Sequence, residues 1–149
     1  MADIDQIKKL REETSASIAD CRQALDESNG DYKKALAWLK KRGIEKADKK
    51  AGRETKAGIV DTYIHHTLTS GATVALTCET DFVARTPEFK NLAHEITQQI
   101  TATNPDSIQA LLDSLWIRDE KKRISDLIKE NIAKLGENIE VKEFKRFET

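Results

Sequence analysis

A chain of 149 residues with 34% charged and only 5% aromatic side chains has room for one ordinary domain, or for a small module beside a medium one, and excludes a large enzyme fold. Its net charge of −1 argues against nucleic acid as the main partner, because phosphate binding needs a clustered basic excess. No apolar run approaches a membrane span and the opening Met1-Ala2-Asp3-Ile4-Asp5 lacks the regions of a signal peptide, so a cytoplasmic location is expected.

Residues 4–42 hold three short amphipathic patterns. Ile4, Ile7 and Leu10 share one face, with Asp3 placed to cap and Gln6 three residues on. Ser17 caps a second segment in which Ile18, Cys21 and Leu25 recur at helical spacing, and Asn29-Gly30 supports a left-handed stop. The third begins at Asp31, places Tyr32, Ala35, Leu36 and Leu39 on one stripe, and is expected to close at Gly43. Helices this short are not stable alone, so residues 1–43 should pack on one another as a three-helix module. Between residues 40 and 56, eight basic side chains meet three acidic ones, a local charge of +5. Such a run reads as a solvated linker, here 44–57, or as an electrostatic guide toward an acidic surface or RNA.

Ile59, Val60, Tyr63 and Ile64 mark a first strand by their β-branched and aromatic character. In a second, Val74, Leu76 and Cys78 face one way and Thr73, Thr77 and Glu79 the other; a turn over residues 66–71 makes the two an antiparallel hairpin. Thr80-Asp81-Phe82-Val83 then falls in a short loop before Thr86 and Pro87, a cap and a first-position proline that start a helix. In that loop Phe82 either folds back onto its own sheet or stands free. The helix carries Phe89, Leu92, Ala93, Ile96 and Ile100 to Asn104-Pro105. A shorter helix follows on Ile108, Leu111, Leu112 and Leu115, and a third on Ile124, Leu127, Ile128 and Ile132 runs to Leu135 and stops at Gly136. Ile139 and Val141 open a last strand whose alternation slips at Glu143-Phe144, the mark of a bulge or an edge. The order predicts an α+β core domain over 58–149, a three-stranded antiparallel sheet with helices on one face.

No phosphate-cradling glycine loop with lysine is present, so direct nucleotide binding is not expected. Cys21 and Cys78 lie in apolar patterns without a Cys-x-x-Cys pair and read as small buried hydrophobes. A thiol nucleophile at Cys78, served by His65 or His66 and oriented by Asp81, would need an accessible thiolate. Cys78 shares its face with Val74 and Leu76, so an enzyme of this kind is not expected. Adjacent His65 and His66 should point to opposite sheet faces and, with His94, form no spaced metal set; neither metal nor cofactor is expected.

Cys78-Glu79-Thr80-Asp81-Phe82-Val83-Ala84-Arg85 resembles the signature of the elongation factor Ts family. The resemblance extends to Leu10-Arg11-Glu12-Glu13-Thr14, to residues 20–25 and Gly30-Asp31, to Tyr63-Ile64-His65 and Gly71, and to Leu135-Gly136-Glu137-Asn138-Ile139. Ser15 and Ser17 stand where the family usually has glycine, and residues 66–70 replace its glycine-rich turn. The resemblance implies a ubiquitin-associated-like N-terminal bundle and a guanine-nucleotide exchange factor for the GTPase elongation factor Tu in translation elongation. By position it implies partner contacts through Arg11, Ile18 and Ala19, and through Thr80, Asp81, Phe82 and Val83. Phe82 would enter an apolar slot beside the magnesium site of the GTPase, and Asp81 would help to disturb the magnesium coordination. For Ile18, plain core packing is the competing reading. Many members of the family carry two α+β subdomains; a single copy with an unpaired edge at its last strand makes a homodimer the expectation here. The rival function is a non-catalytic adaptor whose ubiquitin-associated-like module binds a ubiquitin-like or helical surface.

Overall fold

Capping side chains sit where the sequence puts them. Asp3 accepts from Asp5 N at 3.1 Å, Ser17 Oγ from Asp20 N at 3.0 Å and Asp31 from Lys34 N at 3.2 Å. They open α1 (Ile4–Thr14), α2 (Ile18–Glu27) and α3 (Tyr32–Lys50). The computed structural model describes residues 3–149; Met1 and Ala2, part of the opening read above, lie outside the described residues. Ile7, Leu10, Cys21, Ala24, Leu25, Ala35 and Leu39 form a closed core among the three helices. Asp20, buried on α2, ties that helix to α3 through Lys46 Nζ at 2.7 Å and Arg42 Nε at 3.2 Å.

The third helix does not close at Gly43. It continues to Lys50, so residues 44–50 of the expected linker are helical, and Ala47 is buried in the core of the α+β part. Gly43 serves a close approach instead: a Cβ built there would lie 3.0 Å from Ala133 Cβ on α7 (Ile124–Leu135). A glycine inside a helix costs about 1 kcal/mol relative to alanine. Packing of the two helices offsets that, with Lys129 Nζ 3.1 Å from Asp48 and Lys50 Nζ donating to Gly136 O at 3.0 Å.

The hairpin forms as its alternation requires. β1 (Ala57–Ile64) pairs antiparallel with β2 (Ser70–Cys78), and β2 with β5 (Ile139–Glu148), giving the order β1-β2-β5. The slip read near Glu143 is a register shift: Ala75 pairs with Glu143 and Leu76 with Val141, leaving Lys142 as the extra residue. After β2 come α4 (Asp81–Ala84), α5 (Pro87–Thr103) and α6 (Ile108–Asp113). Val74, Leu76 and Cys78 turn inward against Phe89, Leu92, Ile96 and Ile100 of α5 and Ile124 and Ile128 of α7. The chain is thus α+β, three N-terminal helices followed by an antiparallel three-stranded sheet with helices on one face.

Leu115 departs from its expected place on the short helix. It begins β3 (Leu115–Trp116), which pairs with β4 (Asp119–Arg123). Buried Gln99 on α5 fixes this hairpin, donating through Nε2 to Leu115 O at 2.8 Å and accepting from Ile117 N at 2.9 Å. His65 and His66 do not diverge either. β1 ends at Ile64, so both lie in the turn, with ring centroids 4.2 Å apart. Among the described residues no helix is long and apolar enough to cross a membrane.

Candidate functional site

Cys78 ends β2 fully buried, and two residues later the chain is at the surface. Thr80, in extended backbone, caps α4 by accepting from Val83 N. The stretch expected as a loop is therefore one helical turn. Val83 packs against the core and Ala84 is buried, which leaves the other side of the turn outside. Asp81 is exposed, and Phe82 is exposed at 85%. Of the two positions open to Phe82, folded back on the sheet or free, the ring takes the second.

Two carboxylates hold the base of this turn. Glu137 accepts from Thr80 N at 2.9 Å and from Thr80 Oγ1 at 2.7 Å, and Glu79 accepts from Asn138 N at 2.8 Å, with Arg53 Nη1 3.6 Å away. Local periodicity gave no reason to join residues 57 apart, so the two glutamates appeared in the sequence only as parts of separate likenesses, Glu79 in Cys78–Arg85 and Glu137 in Leu135–Ile139. Thr86 Oγ1 donates to Val83 O at 2.7 Å and accepts from Phe89 N at 3.2 Å, closing the far end onto α5.

Cys78 does not have the setting of a nucleophile. Burial, with the nearby carboxylates, pushes its thiol up, and its Sγ donates to Thr80 O at 3.2 Å. The histidines are engaged elsewhere: His65 Nδ1 lies 2.8 Å from Thr67 Oγ1, and His94 Nδ1 lies 3.0 Å from Asp61 Oδ2. Neither the cleft of about 310 Å³ between the bundle and α7 nor the one of about 430 Å³ near Tyr63 and Arg118 includes any residue of 79–85. Phe82 projects and lines neither of them.

Arg11, Ile18 and Ala19 belong to a different part of the molecule, on α1 and α2. All three are exposed, Ile18 at 52%, so core packing is not the role of Ile18. Ser15 takes the left-handed conformation, φ 56°, at the end of α1, and Ser17 supplies the next cap. The two serines perform the turn and the cap between α1 and α2.

A family model described as Elongation factor TS matches residues 79–149. Elongation factor Ts of Thermotoga maritima is 38% identical over 188 positions, covering 97% of this chain and 94% of that protein. The chain belongs to the elongation factor Ts family. Elongation factor Ts of Rippkaea orientalis is likewise 38% identical, over 99% of this chain and 78% of that protein. The chloroplastic elongation factor Ts of Guillardia theta is 40% identical over 95% and 85%. The family model covers the turn of Phe82 and all that follows it, and the relatives extend the likeness across the bundle. The Thermotoga match spans 188 positions against 149 residues here, so at least 39 of them have no counterpart in this chain.

Proposed function

We propose that the chain is a guanine-nucleotide exchange factor for elongation factor Tu in the cytoplasm, acting through Phe82 and Asp81 and docking also through Arg11, Ile18 and Ala19. The observation that carries the reading is the display of Phe82, 85% exposed on a turn capped by Thr80 and tied down on both sides. Burying a phenylalanine removes roughly 150–250 Å² from water, about 4–6 kcal/mol gross at about 25 cal/mol/Å². A third of that shifts an equilibrium about tenfold.

Exchange needs no covalent step. A factor that binds the nucleotide-free GTPase more tightly than the nucleotide-bound one weakens nucleotide binding by the same factor, because the coupling is reciprocal. In this reading Phe82 enters an apolar slot beside the magnesium site, Asp81 disturbs the metal's coordination, the phosphate contacts loosen and GDP leaves. Thr80 and Val83 hold the turn in place for it. The chain itself carries no nucleotide. Release of fluorescently labelled GDP from elongation factor Tu, timed with and without the chain, tests the reading. Acceleration is expected; binding without acceleration is the behaviour of an adaptor and would overturn it.

We infer in addition a two-fold homodimer. β5 is an edge of the sheet among the described residues, and an open edge favours pairing with a second copy. Light scattering of the isolated chain should give twice its 16.8 kDa, and a single chain mass at micromolar concentration would end the idea.

A further inference from the structure

Glu137 spends its whole carboxylate on one residue. Thr80 N donates to Oε1 at 2.9 Å and Thr80 Oγ1 donates to Oε2 at 2.7 Å. A hydroxyl has one proton, and Glu137 takes it; the lone pairs that remain accept from Val83 N at 3.5 Å, the cap of α4. A four-residue helix has no stability of its own, so the direction of Phe82 is set by whatever holds the two ends of the turn. At the far end stand buried Ala84 and the bond from Thr86 Oγ1 to Val83 O. At the near end stands Glu137.

The carboxylate is itself fixed in place. Gly136 ends α7 in the left-handed region at φ 78°, and Asn138, 2% exposed, donates through Nδ2 to Arg53 O at 2.8 Å. Asn138 N also donates to Glu79 Oε1. Glu79-Thr80 and Glu137-Asn138 therefore exchange carboxylate for amide in both directions, and the clasp sets the angle at which β2 hands over to α4.

We propose that Glu137 is a positioning residue for nucleotide exchange: by gripping Thr80 through main chain and hydroxyl together, it aims the one-turn helix that presents Phe82 to the GTPase. This rests on the exchange reading above. Glu137→Ala should slow stimulated GDP release about tenfold, while thermal melting followed by circular dichroism stays close to the parent. Glu137→Gln keeps an acceptor for Thr80 N and a donor toward Thr80 Oγ1, and should restore release to within about twofold. In a Phe82→Ala background, adding Glu137→Ala should change nothing further, because the glutamate acts through the ring. A parent that does not accelerate release overturns the exchange reading and this inference with it, and Phe82→Ala that exchanges like an active parent overturns the role of Phe82 and this inference. With Phe82→Ala slow, the inference alone falls if Glu137→Ala exchanges normally, if Glu137→Gln is as slow as Glu137→Ala, or if the two losses simply add. Should Glu137→Ala melt early, Thr80→Val, which removes the hydroxyl that Glu137 holds together with the cap it gives α4, takes its place, and normal release from it overturns the inference.

Discussion

Phe82 and Phe89 stand on consecutive helices, each in the first turn, each behind a threonine cap, and they come to opposite ends. Phe89 is fully buried and Phe82 is 85% exposed. The caps do not decide this, since Thr80 and Thr86 both accept from a main-chain N–H of the turn that follows. What differs is the place after the cap: Phe89 is the third residue, as is Val83, which also turns inward, whereas Phe82 is the second. After Phe89 the apolar stripe continues through Leu92, Ala93, Ile96 and Ile100, so the ring is the first member of a face. After Phe82 the helix stops with only Val83 and Ala84 turned inward, on the opposite side. A cap therefore starts a helix, and the place of an aromatic in the first turn, with the stripe behind it, settles whether it serves packing or display. The bundle repeats the division on α2, where Asp20 is buried and bonded while Ile18 and Ala19 remain outside.

Mutation can break or sharpen that contrast. Phe89→Ala should cost the most, about 3–5 kcal/mol of stability, read as a drop in the urea midpoint, because it leaves a cavity among fixed helices. Asp20→Ala should cost about 1–3 kcal/mol by removing the acceptor of Lys46 and Arg42. The hydrogen bond from Lys46 holds the Asp20 carboxyl below the usual range, against the opposing effect of burial. A depressed pKa in the folded state means that its contribution is present above about pH 4 and is lost as pH falls through the folded value. Melting curves taken from pH 6 downward should therefore converge for parent and Asp20→Ala in acid; curves that stay equally far apart would refute the pairing. Thr86→Ala should cost about 1 kcal/mol as a lost cap. Phe82→Ala should change stability by no more than about 0.5 kcal/mol and yet slow GDP release strongly. An early-melting Phe82→Ala would erase the difference between the two rings.

Most of the fold was legible because its signals are local. Asp3, Ser17, Asp31, Thr86 and Pro87 mark helix starts, Asn104 and Gly136 mark ends, and Val74, Leu76 and Cys78 alternate cleanly. The errors share a cause in tertiary packing. Gly43 looks like a stop to anyone reading α3 alone, but it is the gap into which Ala133 fits. Residues 119–123 are Asp-Glu-Lys-Lys-Arg, a charged run without strand character, and the strand they pair with is pinned by Gln99 from another helix. At the candidate site, Phe82 was visible by its family motif and its position between strand and helix. Its helical turn, its exposure and its tie to Glu137 were not, since each depends on a contact between segments far apart in sequence.

The seam between α3 and α7 has a consequence for kinetics. Gly43 against Ala133, Asp48 with Lys129 and Lys50 with Gly136 O make α3 a strut rather than a tether, so in the proposed function Ile18 and Phe82 act as the jaws of a caliper set to one opening. A partner that seats one jaw meets the other already in register, and little ordering entropy is spent on the second contact. A partner whose patches are spaced differently gains no second contact by flexing the chain, and it leaves as fast as a single contact breaks. In that reading, selectivity among similar GTPases follows from a distance between two patches as much as from the chemistry of either.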